Sequence, residues 1–204
     1  VMNKILLNIQ TNLLILILIF SIQSWSKADD IREFEIEGIS IGDNLINFFS
    51  EEEIIKESVS SKQYYYLKEP KKFTQVEFVY HPKLTTYDTI QVLYKKISGD
   101  YIVYAIIGKI LYKDNINDCY DFRDGIVKDI EDQLKTKAGV KEVTLHPSDK
   151  SKKSKVDQVG FWLKNDDVII VECYDWSEEM KYYDNLKVNL FSNEANIWIT
   201  DVKK

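Results

Sequence analysis

Histidine and cysteine are scarce in this chain, with two of each in 204 residues. His81 and His146 each precede a proline at the end of an extended run. A two-histidine metal centre would need the fold to bring separate loops together, so they read as exposed loop histidines. No HExxH, P-loop or CxxC spacing occurs, and the chain is expected to hold no metal and no cofactor. Glycine is also thin, at seven residues. The lysine-rich loop Ser148–Lys155, with Lys150, Lys152, Lys153 and Lys155, lacks the glycines that let backbone amides wrap an anion, so it reads as a solvated loop. Basic charge is in deficit: 27 Lys and Arg stand against 33 Asp and Glu, a net charge of −6. That excludes a general nucleic-acid binder, which needs a basic face. A 13% aromatic content argues equally against a disordered chain.

Long apolar runs are limited to one, Leu13–Phe20. Lys4 precedes it, and Ser26 and Ala28 put small residues at −3 and −1 of a junction before Asp29. Residues 1–28 therefore read as an export signal. The run is short for a span of about 20 residues, so membrane attachment is expected only if the signal stays uncleaved. No cysteine lies near the junction, which excludes a bacterial lipid anchor there. The expected location is periplasmic or secreted. Residues 29–204 then form a single α+β domain. In an exported chain, Cys119 and Cys173 are expected to form a disulfide.

The fold is organised around a helix at about residues 115–137. Ile116, Cys119, Ile126, Val127, Ile130 and Leu134 recur at helical steps. Asp114 or Asn115 caps its start, Lys135 and Lys137 fill its last turn, and Gly139 is placed to end it. Arg123 falls on the apolar stripe; its stem is expected on the core and its head in water. Before this helix, Glu33–Glu37 alternates as a short strand, and Asp43 caps a short helix with Leu45, Ile46 and Phe49. Ser50–Glu53 is a capping box ahead of Ile54. Tyr64, Tyr65 and Tyr66 read as a short edge strand. Phe73–Tyr80, Thr89–Lys96 and Tyr101–Ile107 form a β-meander, with a bulge at Gly108 before Ile110–Tyr112. After the helix come strands at Glu142–Leu145, Val156–Leu163, Val168–Tyr174 and Leu186–Phe191. Ser192 caps a terminal turn burying Ile197 and Trp198. The architecture is thus two helix-plus-antiparallel-meander units, at about 29–112 and 113–204, packed around the central helix.

The candidate binding surface is Tyr174, Asp175, Trp176, Tyr182 and Tyr183, since aromatics beside a carboxylate are common in clefts. IEGISIGDNLINFFSEEEI, ILYKDNINDCY and HPSDKSKKSKV with CYDWSEEMKYYDNLKV resemble a group of short exported proteins of marine alphaproteobacteria, which implies no function. Ile39-Ser40-Ile41-Gly42 opening a helix before a meander resembles the SmpA/OmlA-type outer-membrane lipoprotein domain and the β-lactamase-inhibitor protein fold, though without the lipid-bearing cysteine. The expected function is a non-catalytic binding or envelope-interaction module whose partner is a protein or small ligand of the cell envelope. The alternative is a small periplasmic hydrolase using an acidic pair near Asp175 and Asp184. An enzyme should show polar groups converging in a closed cleft.

Overall fold

The computed structural model describes residues 30–60, 67–69, 71–113, 115–135 and 139–202. The export segment, the tyrosine run at 64–66, Asp114 and Lys137 lie outside them. Among these residues, three α-helices and seven strands follow one another: α1 (Glu51–Ser60), β1 (Thr74–Val79), β2 (Thr89–Ile97), β3 (Asp100–Tyr112), α2 (Ile116–Leu134), β4 (Val140–Leu145), β5 (Lys155–Trp162), β6 (Val168–Asp175), β7 (Asp184–Phe191) and α3 (Asn193–Thr200). The fold class is α+β. All seven strands belong to one antiparallel sheet in the order β1-β2-β3-β7-β6-β5-β4. Two meanders, β1–β3 and β4–β7, share the β3–β7 ladder as their seam. The sheet is continuous, and α2 lies on one of its faces, against β6, β7 and β3. No described helix is long and apolar enough to cross a membrane.

Strand alternation divides the sheet into two unequal faces. One carries Val76, Phe78, Ile90, Val92, Ile106, Val188, Leu190, Val171 and Phe161, and packs against α1, α2 and the segment 31–49 in the main core. Among the described residues, the other packs against a helix at one end only. There Leu93, Ala105 and Phe191 meet Ala195 and Trp198 of α3, with Leu67 and Phe73. Polar side chains stand on the rest of that face, several of them buried, among them Gln75, Asn185 and Asn189.

The helix ends follow their local chemistry. Ser50 and Glu53 exchange the bonds of a capping box: Glu53 N–H donates to Ser50 Oγ at 3.2 Å, and Ser50 N–H to Glu53 Oε2 at 2.7 Å. Asn115 caps α2 through Asn117 N–H, and Ser192 caps α3 through Ala195 N–H. The end of α2 differs from expectation. Lys135, in the left-handed region at φ 56°, closes it with its N–H on Glu131 O. Gly139 serves close approach instead: a Cβ there would meet Val159 Cγ1 at 2.2 Å.

Other corrections are local. Glu33–Glu37 is not a strand. Residues Ile31–Glu33 make a 3-10 turn, and Ile36 bridges back to Ile39 through Glu37 and Gly38, both at positive φ. The Glu37 carboxylate explains the reversal, because it accepts the N–H groups of Thr85, Thr86 and Tyr87. Asp43 caps nothing; it accepts Ser40 N–H, and Asn44 heads a 3-10 turn at Leu45–Asn47. The bulge falls at Tyr104, the residue skipped between Leu93↔Ala105 and Tyr94↔Val103, not at Gly108. Tyr104 O accepts Ser192 N–H, which places the start of α3. Gly108 stays in the ladder and makes room for the Tyr87 ring, 2.6 Å from where its Cβ would be. Ile197 is exposed, while Trp198 is buried.

Cys119 and Cys173 are bonded, with Cα atoms 6.1 Å apart. Arg123 departs from the snorkelling expectation. It is only 2% exposed. Its Nη1 pairs with Asp157 Oδ1 at 2.6 Å and its Nη2 with Asp124 Oδ1 at 2.8 Å. A guanidinium can be held so deep because it is fully paired and stacks on the Tyr120 ring.

Candidate functional site

The second sheet face is crossed by a row of polar side chains in register. Lys109 on β3 pairs with Lys187 on β7, Lys187 with Glu172 on β6, and Glu172 with Gln158 on β5. Period-two alternation puts all four on the same side. Beyond the row, the β6–β7 connection folds over the sheet. Ser177 begins a 3-10 turn at Glu178–Met180, and Lys181 reverses the chain at φ 56°. Asp184 Oδ1 accepts Trp176 N–H at 2.7 Å and so holds the two ends of the connection together. Beside it lies an open pocket of about 380 Å³ lined by Lys109, Leu111, Trp176, Lys181, Tyr182, Tyr183, Asn185 and Lys187.

An aromatic cluster builds one wall. Tyr174 stacks on Trp176 with ring centroids 5.6 Å apart, His146 lies 4.4 Å from Trp176, and Tyr182 meets Trp176 edge-on at 5.0 Å. Tyr182 and Tyr183 are both more than half exposed, at 62% and 57%. Lysines build the other side. Lys187 Nζ stands 3.9 Å over the Tyr174 ring. None of Lys109, Lys181 and Lys187 makes an ion pair with a carboxylate among the described residues. Burial pushes the Lys187 ammonium below the usual lysine range; the Glu172 charge across the strand opposes that shift and Lys109 adds to it. Glu172 itself is pushed up by burial, although Lys187 and hydrogen bonds from Asn189 and Tyr174 favour its ionised form.

Asn185 forms part of the pocket floor and is 4% exposed. Its Nδ2 donates to Tyr183 O at 3.1 Å. Because a backbone carbonyl can only accept, that contact fixes the amide orientation. Asn185 Oδ1 is then left buried without a hydrogen-bond partner.

Trp176, Tyr182 and Tyr183 from the sequence reading thus stand together on the pocket. Tyr174 supports it from beneath, with its hydroxyl on Glu172 Oε1. Asp175 lies on the opposite side of β6 from Tyr174. Neither Asp175 nor Asp184 lines the pocket, and burial raises the Asp184 carboxyl. The lysines and Asn185 were not singled out from the sequence. Their signal was an apolar-polar alternation in β3 and β7 that gives polar residues a common face only once β3 and β7 are known to pair.

The histidines are half-buried, not exposed, and lie apart. His81 pairs with Glu53 at 3.2 Å, in a smaller cleft of about 250 Å³ with Lys56, Glu57, Phe78 and Val79. Ser50 N–H and hydroxyl, with His81, hold the Glu53 carboxyl at about 2. The lysine loop is built around Asp149, which accepts from Ser151, Lys153, Ser154 and Ser177. The Ser154 hydroxyl foremost holds its carboxyl far below the usual range. Gly38 to Gly42 spell the G-x-S-x-G spacing of a nucleophile elbow, but the strand-turn-helix context is absent. Ser40 is buried, and its hydroxyl makes no hydrogen bond to a histidine among the described residues. Nor is there, among those residues, a cluster of three or more His, Cys, Asp or Glu able to hold a metal ion. No protein-family model, curated protein or solved structure was found to match this chain.

Proposed function

We propose that this chain is a non-catalytic binding module of the cell envelope, periplasmic or secreted, and that it takes a small anionic ligand between Lys109, Lys187 and the aromatic wall of Trp176, Tyr182 and Tyr183. The signal-like residues 1–28 and the Cys119–Cys173 bond support export. One observation carries the ligand reading. In a chain richer in acids than bases, half-buried Lys187 stands on the pocket floor with no carboxylate paired to it among the described residues. The Tyr174 ring and the cross-strand Glu172 charge offset only part of the cost of holding that ammonium out of water, and an anion entering the pocket would offset more of it. The lining contains no carboxylate, histidine or serine to move a proton or attack a bond, which favours binding over catalysis.

The hydrolase alternative requires Asp175 and Asp184 to act as an acid pair. Asp184 is engaged by Trp176 N–H, and neither carboxylate reaches the pocket lining. The order of α1 then β1–β3, and of α2 then β4–β7, supports two helix-plus-meander units packed around α2.

Thermal-shift and calorimetric titration with small carboxylates and phosphates at low ionic strength tests the function. A bound anion at 100 times its Kd should add about 2.7 kcal/mol of stability. Binding should weaken with salt and fall at least tenfold in Lys187→Gln. No response to any anion, or an unchanged response in Lys187→Gln, would overturn the reading.

A further inference from the structure

We infer that β4 is a docking edge for a second copy of this chain, the two β4 strands pairing antiparallel about a twofold axis at Val143. This does not rest on the anion-binding reading above. β4 ends the sheet and is paired with β5 alone among the described residues. It is exposed at all 6 of its positions, on both faces, and Val140, Val143 and Leu145 are each more than half exposed. Exposed sheet edges are templates for pairing, and proteins blunt them with proline, bulges or outward charge. β4 holds no proline, and its register with β5 is unbroken. Its two charges are drawn to the chain's own sheet: Lys141 Nζ lies 3.7 Å from Asp157 Oδ2, and Gln158 Nε2 donates to Glu142 Oε2 at 3.0 Å. The opposite edge strand, β1, differs. Gln75 to Phe78 are buried or half-buried there, and α1 packs beside them.

The free edge of β4 has a definite phase. His146 N–H donates to Ser154 O at 3.0 Å, continuing the register in which Leu145 faces Lys155. Antiparallel alternation then turns the backbone groups of Val140, Glu142 and Thr144 toward β5, and those of Lys141, Val143 and Leu145 outward. A twofold axis normal to the sheet keeps like faces together, so it must fall on a residue and not between two. Centred on Val140, it leaves Val143 and Leu145 beyond the pairing. Centred on Lys141 or Glu142, it sets like charges directly opposite each other. Centred on Thr144 or Leu145, it sets Lys141 or Val143 against Pro147, which has no N–H to give. Centred on Val143, it gives every outward group a partner. Val143 faces Val143 of the second copy, Lys141 faces Leu145, Glu142 faces Thr144, and Val140 faces His146, with no like charges opposed. The strand is its own complement in that register alone, which selects a second copy as the occupant. One short strand from each copy makes a smaller seam than the roughly 1,200 Å² of a standard interface, so the dimer forms only at high concentration.

The test is sedimentation equilibrium of the full chain from about 10 μM to about 1 mM, a range that brackets a weak dimer, with amide exchange measured alongside. Monomer and dimer should interconvert with concentration. The amides of Lys141, Val143 and Leu145 should exchange more slowly as the dimer forms, while those of Glu142 and Thr144 stay protected by β5 throughout. Val143→Lys sets two ammonium groups face to face at the axis and should weaken the dimer about tenfold. Val143→Pro should also weaken it, since it removes an outward N–H and none of the β4–β5 bonds. Val79→Lys, at an exposed position of β1, should leave association unchanged. A monomer at every concentration overturns the proposal. So does protection of the three outward amides at every dilution, which would mean that a segment of the same chain covers the edge. A dimer indifferent to both Val143 variants, or assemblies growing beyond the dimer by β4 pairing with β1, overturn it equally. The amide pattern of the unsubstituted chain decides the matter if either variant does not fold.

Discussion

Asp157, whose Oδ1 lies 2.6 Å from Arg123 Nη1, is the direct cross-strand partner of Cys173. The guanidinium and the disulfide therefore fasten α2 to the sheet at adjoining points one helical turn apart. Breaking a buried ion pair from one side costs up to about 3–5 kcal/mol, and Lys141, 3.7 Å from Asp157 Oδ2, tempers that cost here. Arg123→Ala should lose stability of that order in urea unfolding, and Asp157→Asn a comparable amount. Replacing both, as Arg123→Met with Asp157→Leu, should recover most of the loss. Additive losses in the double variant would mean that the two residues act independently.

The disulfide closes a loop between positions separated by 54 residues. In the chain-entropy account such a bridge is worth about 4 kcal/mol. Cys119→Ser with Cys173→Ser should lower stability by about 2–5 kcal/mol, and denatured, unreduced protein should titrate with no free thiol. Two titratable thiols would contradict the pairing.

Acid should unfold the protein in a definite window. Glu53 is held at about 2, and Asp149 far below its usual range, by hydrogen bonds donated to their ionised forms. Their folded values lie below the unfolded ones, near 4. Their contributions are therefore complete above that value and are lost as pH falls through the folded ones. Asp149→Asn should be less stable than the parent at pH 7, with the gap narrowing from about pH 4 downward. A gap independent of pH would show that the asparagine disturbs packing and not charge.

Glu172 should behave in the opposite sense. Burial raises its folded value above the unfolded one. Its stabilising contribution is thus present below the unfolded value, about 4.3, and is lost as pH rises through the folded one. Glu172→Gln keeps an oxygen for Tyr174 and Asn189, and should melt higher than the parent at pH 7 to 8 but level with it below about pH 4. A variant that melts lower at pH 7 would mean that attraction to Lys187 outweighs the cost of burying the carboxylate.

Much of this fold was legible because its signals are local. The capping box at Ser50, the stripe of α2, and the alternation in β2 and β6 each depend on neighbours within a few residues. The misread segments are those ruled by distant partners. Glu37 reverses its chain for amides at Thr85 to Tyr87, and Arg123 is buried because Asp157 waits on β5. The pocket divides the same way. Its aromatic wall is contiguous in sequence and stood out, whereas Lys109, Asn185 and Lys187 acquire meaning only from the β3–β7 register.

That register has a kinetic consequence. Within each meander, strands consecutive in the chain pair through hairpins that close over short loops. The seam must instead bring Ala105 to Phe191 and Tyr112 to Asp184, with α2 and a whole meander strung between. Chain-closure entropy makes such distant pairing the slow step of assembly. Lys109 and Lys187 face each other across that seam, so the pocket exists only where the β3–β7 ladder is formed. Ligand capture would thus read out complete assembly of the sheet and would selectively stabilise chains that have reached it.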